Sequence, residues 1–206
     1  RGTPNSRKLP FVSVIIATRN EHVVIEKTLK KLKTMDYPKY EIIVVDGSTD
    51  NTAKIARKYA KVVVEKNPKG KPYALNAAVK KARGEVLYFL DADSHIEKDT
   101  LRLLVSALGK YEAAAGVNIP RNKRGLVARV AGIEIAVLTS LLKLTSTILD
   151  TTIISGRNFV IYKKTLKKMG GFRDVLTEDL NLSWRLYEAG KKVAFVPHAV
   201  CLEEAP

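Results

Sequence analysis

Glu85-Val86-Leu87-Tyr88-Phe89-Leu90-Asp91-Ala92-Asp93 is the stretch from which the fold of this chain is read. Its apolar run is short, bounded by charge and without polar alternation, as in a strand buried on both faces. Such strands belong to parallel sheets with helices on both sides. Similar runs precede it at Phe11 to Ala17, Glu41 to Asp46 and Val62 to Val64. Between Glu21 and Met35, Val24, Thr28, Leu29 and Leu32 recur at helical spacing opposite a lysine-bearing face. Asp50 offers an N-cap to a helix running through Tyr59, and another helix covers Pro72 to Ala82. Strand and helix therefore alternate up to Asp91. The pattern predicts an α/β fold, a Rossmann-like, mostly parallel sheet flanked by helices with right-handed crossovers.

Beyond this stretch the pattern is less regular. Helices are expected over Lys98 to Leu108 and Glu178 to Ala189, and strands over Ala113 to Asn118, Val160 to Tyr162 and Val193 to Val196. Thr177 is the expected N-cap of the Glu178 helix. Leu126 to Leu149 is a long, mainly apolar helical stretch, with a break expected near its middle. Arg129, Glu134 and Lys143 interrupt it, so it falls short of the ~18 uncharged apolar residues of a membrane span. Residues 1–9 read as a polar tail, residues 10–206 as a single domain, and Pro120 to Gly125 as a mobile loop.

The chain carries 36 Lys and Arg against 21 acids, a formal charge of +15. That surface attracts nucleotide phosphates, nucleic acid or an anionic membrane face, although a lysine-rich solvated surface accounts for the same excess without a partner. A single cysteine, Cys201, excludes an internal disulfide and fits a reducing, cytosol-facing compartment. No segment reads as a secretory signal, so the expected location is cytoplasmic.

In open α/β sheets ligands sit beyond the carboxyl ends of the strands, and here those ends are acidic. Asp91 and Asp93 leave one strand end, and period-two geometry would send both side chains to one face with Ala92 pointing away. Paired carboxylates repel unless neutralised, and a hard divalent ion that also bridges diphosphate oxygens does this well. An acidic turn before a helix is the plainer explanation. Asp46 ends another strand, before the turn at Gly47; ordinary capping explains Asp50 but not Asp46. Glu178 and Asp179 open a helix whose dipole favours negative charge. In a functional site Asp179 would be a general base. Ser155-Gly156-Arg157-Asn158 and Gly170-Gly171-Phe172 accompany this third group.

Taken in order, Val14 to Glu21, Asp46-Gly47-Ser48-Thr49-Asp50, Asp91-Ala92-Asp93, and Gly170-Gly171-Phe172 with Thr177-Glu178-Asp179 resemble the family 2 glycosyltransferases, which have the GT-A fold, over nearly all of Pro10 to Pro206. Ala194 to Val200, leading to Glu203 and Pro206, is similar to the branch that makes β-linked polysaccharides such as cellulose, chitin, hyaluronan and poly-N-acetylglucosamine. The resemblance implies a nucleotide-sugar-binding half over 10–118 and an acceptor-side half over 119–206. Ala17, Thr18 and Glu21 would line the nucleoside pocket and Asp46 would contact the base, uracil. Asp91, with Ala92 beside it, would meet the ribose or the diphosphate, and Asp93 would ligate Mg²⁺ or Mn²⁺. Lys69 or Lys71 would face the phosphates, His198 would reach the metal, and Asp179 would be the base with Glu178 beside it. The implied activity is inverting transfer from a UDP-sugar to a glycan or lipid-linked acceptor, at the cytosolic face of a membrane. Processive relatives carry Gln-x-x-Arg-Trp followed by transmembrane helices after the position of Pro206; neither lies within these residues, so processivity is left open.

Two rivals stand beside this reading. A nucleotidyltransferase shares the βαβ design but opens with a Gly-rich basic loop, whereas Thr18-Arg19-Asn20-Glu21 has no glycine. A non-catalytic binder of nucleic acid or membrane would use the +15 charge, but aromatic residues make up only 7% and no nucleic-acid motif is present, so no nucleic-acid partner is expected. Leu126 to Leu149 is expected either to pack as core beneath the acceptor side or to present an amphipathic face to a membrane or lipid-linked acceptor.

Overall fold

The computed structural model describes residues 9–120, 126–154 and 156–203. The polar tail before Leu9, the loop at 121–125, Ser155 and the end of the chain from Glu204 lie outside the described residues. The elements run β1 (Val12–Thr18), α1 (Ile25–Leu32), β2 (Tyr40–Asp46), α2 (Thr52–Ala56), β3 (Lys61–Val64), α3 (Lys71–Lys81), β4 (Val86–Leu90), β5 (His95–Ile96), α4 (Thr100–Ala107), β6 (Ala113–Pro120), α5 (Leu126–Leu149), β7 (Phe159–Tyr162), α6 (Lys163–Lys168), α7 (Glu178–Glu188) and β8 (Val193–Glu203). One eight-stranded sheet has the order β3-β2-β1-β4-β7-β6-β8-β5. Its first four strands are parallel, β7 enters antiparallel between β4 and β6, and β8 runs parallel to β6.

Alternation along the buried strands divides the core in two. Val12, Val14, Ile16, Val44, Tyr88 and Leu90 face α1 and α4 through Ile25, Leu29, Leu101 and Leu104. Ile15, Ile43, Leu87 and Phe89 face α3, α6 and α7 through Leu75, Val79, Leu166, Leu182 and Leu186. With both faces covered, no polar position is tolerated in β4, which explains the uninterrupted apolar run. Phe89 anchors the second layer, stacked on Phe159 at 4.9 Å between centroids and meeting the edge of Phe172 at 5.1 Å.

Several expectations are corrected. Asp50 does cap the turn, its Oδ1 accepting from Thr52 N–H at 2.9 Å, but the helix behind it is only Thr52–Ala56. Thr177 holds the N-cap position of α7 without a side-chain cap bond. The helix expected from Glu21 begins at Ile25, after a turn in which Val24 and Ile25 N–H donate to Glu21 O. β5 and α6 are additional elements, and β8 extends to Glu203 through an irregular register between Phe195 and Val200. α5 is one continuous helix of 24 residues. None of its described side chains is buried, so it lies on the surface and is not core. Among the described residues no helix is long and apolar enough to cross a membrane.

The centre of the sheet is tied by Asn158, fully buried at the start of β7 with φ +54°. Its Oδ1 accepts from Tyr88 Oη at 2.9 Å, and its Nδ2 donates to Ala199 O at 2.8 Å and Val117 O at 3.2 Å. Four strands thereby meet at one amide. Gly116, at the register shift of β6, is required there: a Cβ would lie 2.2 Å from Ala199 O.

Candidate active site

The carboxyl ends of β1, β2 and β4 open on a cavity of about 580 Å³, lined among others by Ala17, Thr18, Glu21, Lys71, Asp91, Ala92, Asp93 and Arg157. A second cavity, about 510 Å³, is lined by Glu178 and Asp179 at the start of α7, by Leu138 and Leu142 of α5, and again by Lys71, Asp91 and Arg157. The two share those three side chains, which form a charged partition. Lys71 Nζ lies 2.8 Å from Asp91 Oδ1 and 3.8 Å from Glu178 Oε1. Arg157 Nη1 lies 3.1 Å from Asp91 Oδ2 and 4.0 Å from Asp93 Oδ1.

The local backbone explains this convergence. Asp91 to Ser94 is a turn, closed by Ser94 N–H donating to Asp91 O and Asp91 N–H donating to Ser94 Oγ at 3.1 Å. It is this turn, rather than strand pleating, that gathers the two carboxylates. Ala92 is buried beneath them, its carbonyl accepting from Thr28 Oγ1 at 2.7 Å. Lys71 is the first residue of α3, behind Gly70 at φ +121° and before Pro72, which aims it across the strand ends; Lys69 does not line the cavity. Gly156 takes φ +60°, a conformation that favours glycine, and its backbone passes beside the Asp179 carboxylate, where a Cβ would stand in ordinary contact 3.6 Å from Oδ2. The segment that brings Gly156 to Asp179 thus carries Arg157 to Asp91.

The loops after β1 and β2 are clipped together. Asn20 N–H donates to Ser48 Oγ at 2.7 Å, Thr49 N–H donates to Asn20 Oδ1 at 3.0 Å, and His22 Nδ1 pairs with Asp50 Oδ2 at 2.7 Å. Hydrogen bonds from Thr52, then from His22, hold the Asp50 carboxyl down at about 2. A depressed carboxylate stabilises the fold above its ordinary value of 3.8, and that contribution is lost as pH falls through about 2. The His22–Asp50 pair of the clip is therefore expected to survive at pH 4 and to open as pH falls through about 2. Titration of the Asp50 carboxyl carbon by NMR checks this, and an ordinary midpoint near 3.8 would contradict it.

Asp46 lies at the end of β2, beside the cavity and behind Thr18 and Ser48. It is 1% exposed and absent from the cavity lining; its Oδ1 accepts from Thr18 Oγ1 at 2.7 Å and Ser48 Oγ at 2.6 Å. It underpins the cavity wall. His198 is placed apart from both cavities. It lies within the irregular stretch of β8 and not at a strand end, is exposed, and lines neither cavity. Among the described residues no three His, Cys, Asp or Glu side chains stand together as a metal-holding group. The residues that could hold a divalent ion at the strand ends are the Asp91–Asp93 pair. The donor set is all oxygen, suited to Mg²⁺ or Mn²⁺ completed by diphosphate and water. Burial first, then the charges of Asp93 and Asp91, raise the Glu21 carboxyl above its ordinary value.

Sequence reasoning grouped Ser155-Gly156-Arg157-Asn158 with Glu178 and Asp179 but gave Arg157 no role, because nothing local to it marks its approach to Asp91. Both sides of the 118/119 division contribute to each cavity, Arg157 to the first and Lys71 and Asp91 to the second.

A mixed sheet whose parallel strand ends collect carboxylates and cations between two adjoining cavities has the architecture of the GT-A fold. Residues 13–170 match the family described as glycosyl transferase family 2, and the chain belongs to that family. It is 31% identical to poly-beta-1,6-N-acetyl-D-glucosamine synthase of Staphylococcus epidermidis, covering 92% of this chain and 49% of that protein. A mannosyltransferase from Pyrobaculum calidifontis, in complex with GDP-Man and Mn²⁺, superimposes with a TM-score of 0.77 at 28% identity, over 96% of this chain and 57% of that one. TarS residues 1–349 of S. aureus, in complex with UDP-GlcNAc, gives a TM-score of 0.74 at 25% identity, over 95% of this chain and 59% of that one. The chain spans about half the length of the curated relatives it matches.

Proposed function

We propose that this domain catalyses inverting, metal-dependent transfer of a sugar from a UDP-sugar to the hydroxyl of a glycan or lipid-linked acceptor. The observation that carries the reading is the pair of cavities meeting at Lys71, Asp91 and Arg157, with Asp93 on one side and Asp179 on the other. The donor occupies the first cavity: nucleoside against Ala17, Thr18 and Glu21, diphosphate toward Asp91, Asp93 and the two cations. Asp46 supports the base end through Thr18 and Ser48. The relatives solved with UDP-GlcNAc and with GDP-Man and Mn²⁺ support a nucleotide-sugar donor and a divalent ion.

The acceptor enters from the second cavity. Its hydroxyl proton passes to the Asp179 carboxylate as the oxygen bonds to the anomeric carbon. The bond from that carbon to the β-phosphate oxygen breaks, and its electron pair leaves with the nucleotide diphosphate. One displacement inverts the configuration. When bound, the metal supplies Lewis-acid stabilisation of the diphosphate, held by Asp93 and Asp91. Lys71 and Arg157 hold positive charge beside the same oxygens, and Glu178 keeps Lys71 in place. Placing both reactants in adjoining cavities contributes the positional part of the rate.

The test is a donor panel scored by UDP or GDP release and by donor binding, with Mg²⁺, Mn²⁺ and chelator. Release from no sugar nucleotide, with no binding of UDP, would overturn the reading. Asp93→Ala is expected to remove the gain in UDP affinity that Mn²⁺ brings, while metal-free affinity changes little. Calorimetry with and without Mn²⁺ measures this, and an undiminished metal effect would take Asp93 out of the metal site.

A further inference from the structure

We propose that Arg157 is an electrostatic gate on the carboxylate pair: it holds Asp91 and Asp93 against a divalent ion arriving alone, and passes to the donor diphosphate when ion and nucleotide arrive together. This deepens the donor-site reading above and rests on it. Its consequence is that metal and sugar nucleotide each bind more tightly in the presence of the other, with Arg157 as the residue that couples them.

The charge arrangement carries the inference. Both oxygens of Asp91 already have cationic partners, Oδ1 the Lys71 ammonium at 2.8 Å and Oδ2 the Arg157 Nη1 at 3.1 Å. The same Nη1 stands 4.0 Å from Asp93 Oδ1, so Arg157 covers both members of the pair. Lys71 is shared instead with Glu178, 3.8 Å away on its other side. Among the described residues no group of three His, Cys, Asp or Glu could hold an ion without further help. A bare Mg²⁺ or Mn²⁺ needs about six oxygen ligands. At these strand ends it meets two carboxylates, one with both oxygens engaged, and a guanidinium that repels it. A diphosphate changes both conditions. It brings oxygens that complete the ion's shell, and it offers the guanidinium anionic oxygens that suit its planar fork as well as a carboxylate does.

The backbone fixes the root of this side chain. Arg157 stands between Gly156 at φ +60° and Asn158 at φ +54°. Asn158 N–H donates to Phe89 O at 2.9 Å, and its carbonyl accepts from Gly116 N–H at 2.9 Å. The Arg157 side chain itself is 29% exposed. Its exchange from carboxylate to phosphate therefore requires rotation of one side chain and no movement of the sheet, which suits a gate that opens at every donor-binding event.

Binding of Mn²⁺, followed by electron paramagnetic resonance of the unbound ion, tests the gate apart from turnover. In the native chain UDP is expected to tighten Mn²⁺ binding at least about tenfold, and by linkage Mn²⁺ tightens UDP by the same factor. Arg157→Gln removes the repelling charge and is expected to bind Mn²⁺ about tenfold more tightly without UDP, and UDP with Mn²⁺ more weakly, so that the coupling shrinks from both sides. Misfolding would weaken both and cannot produce the gain. Arg157→Lys keeps the charge and should bind Mn²⁺ without UDP as weakly as the native chain. Combining Arg157→Gln with Asp93→Ala should abolish the gain. Equal Mn²⁺ affinity with and without UDP in a native chain that binds UDP would overturn the gate and leave the donor reading standing. So would an unchanged or lowered Mn²⁺ affinity in Arg157→Gln, the same gain in Arg157→Lys, or a gain that survives Asp93→Ala. A native chain that binds no UDP, with or without Mn²⁺, would overturn the donor reading and the gate with it.

Discussion

Asp179→Asn is expected to bind UDP-sugar as the native chain does and to transfer about 100- to 10,000-fold more slowly, the range over which a positioned general base contributes. Asparagine keeps the size and hydrogen-bonding reach of the side chain beside Gly156 but cannot take the acceptor proton. The backbone of Asp179 is fixed independently, by Ser183 Oγ donating to its carbonyl at 3.0 Å, so the substitution changes chemistry and not placement. Glu178 is no substitute base: it is 8% exposed and directed at Lys71. Glu178→Gln should accordingly act on donor affinity through Lys71, raising KM more than it lowers kcat. Single-turnover rates and donor Kd, measured side by side, separate the two effects. Native turnover in Asp179→Asn would assign the proton to another group.

Asn158→Ala is expected to be the most destabilising exchange near the site, at about 3 kcal/mol or more. It strands the fully buried Tyr88 hydroxyl and the carbonyls of Ala199 and Val117, and a buried polar group left unpaired costs about 1–3 kcal/mol. It also puts a Cβ residue without local hydrogen bonding at φ +54°, at about 1 kcal/mol more. For a chain of this size the melting temperature should fall by roughly 6–12 °C. Because Asn158 follows Gly156 and Arg157, loosening it should also release Arg157 from Asp91 and weaken UDP binding in the variant that remains folded. Thermal unfolding followed by circular dichroism checks the first effect and calorimetry the second. An unchanged melting temperature would show that the four strands are held without this amide.

The parts legible in the sequence share a physical origin. Strands β1, β2 and β4 are covered on both faces, so burial itself writes an unbroken apolar run. α1 and α7 write a helical period because only one side of each is buried. The acidic strand ends were legible because a carboxylate at the end of an apolar run has no packing explanation. Other elements lacked such a signal. β5 is two residues long, α6 is Lys-Lys-Thr-Leu-Lys-Lys with one core leucine, and β8 continues past its apolar start by pairing with β6. α5 carried an apolar pattern that suited core and surface equally, and only its neighbours could decide between them.

By itself, the sequence determined the layered α/β architecture, the family and the list of acids from which the site is built, since these follow from local periodicity and from charge where burial would forbid it. Tertiary structure alone decided that β7 enters antiparallel between β4 and β6, that Arg157 reaches Asp91 and Asp93, that Lys71 rather than Lys69 lines the cavity, and that Asp46 and His198 stand outside it. Those facts depend on which distant segments pair and how closely their backbones approach, and such contacts, made between residues far apart along the chain, leave no period in the order of its side chains.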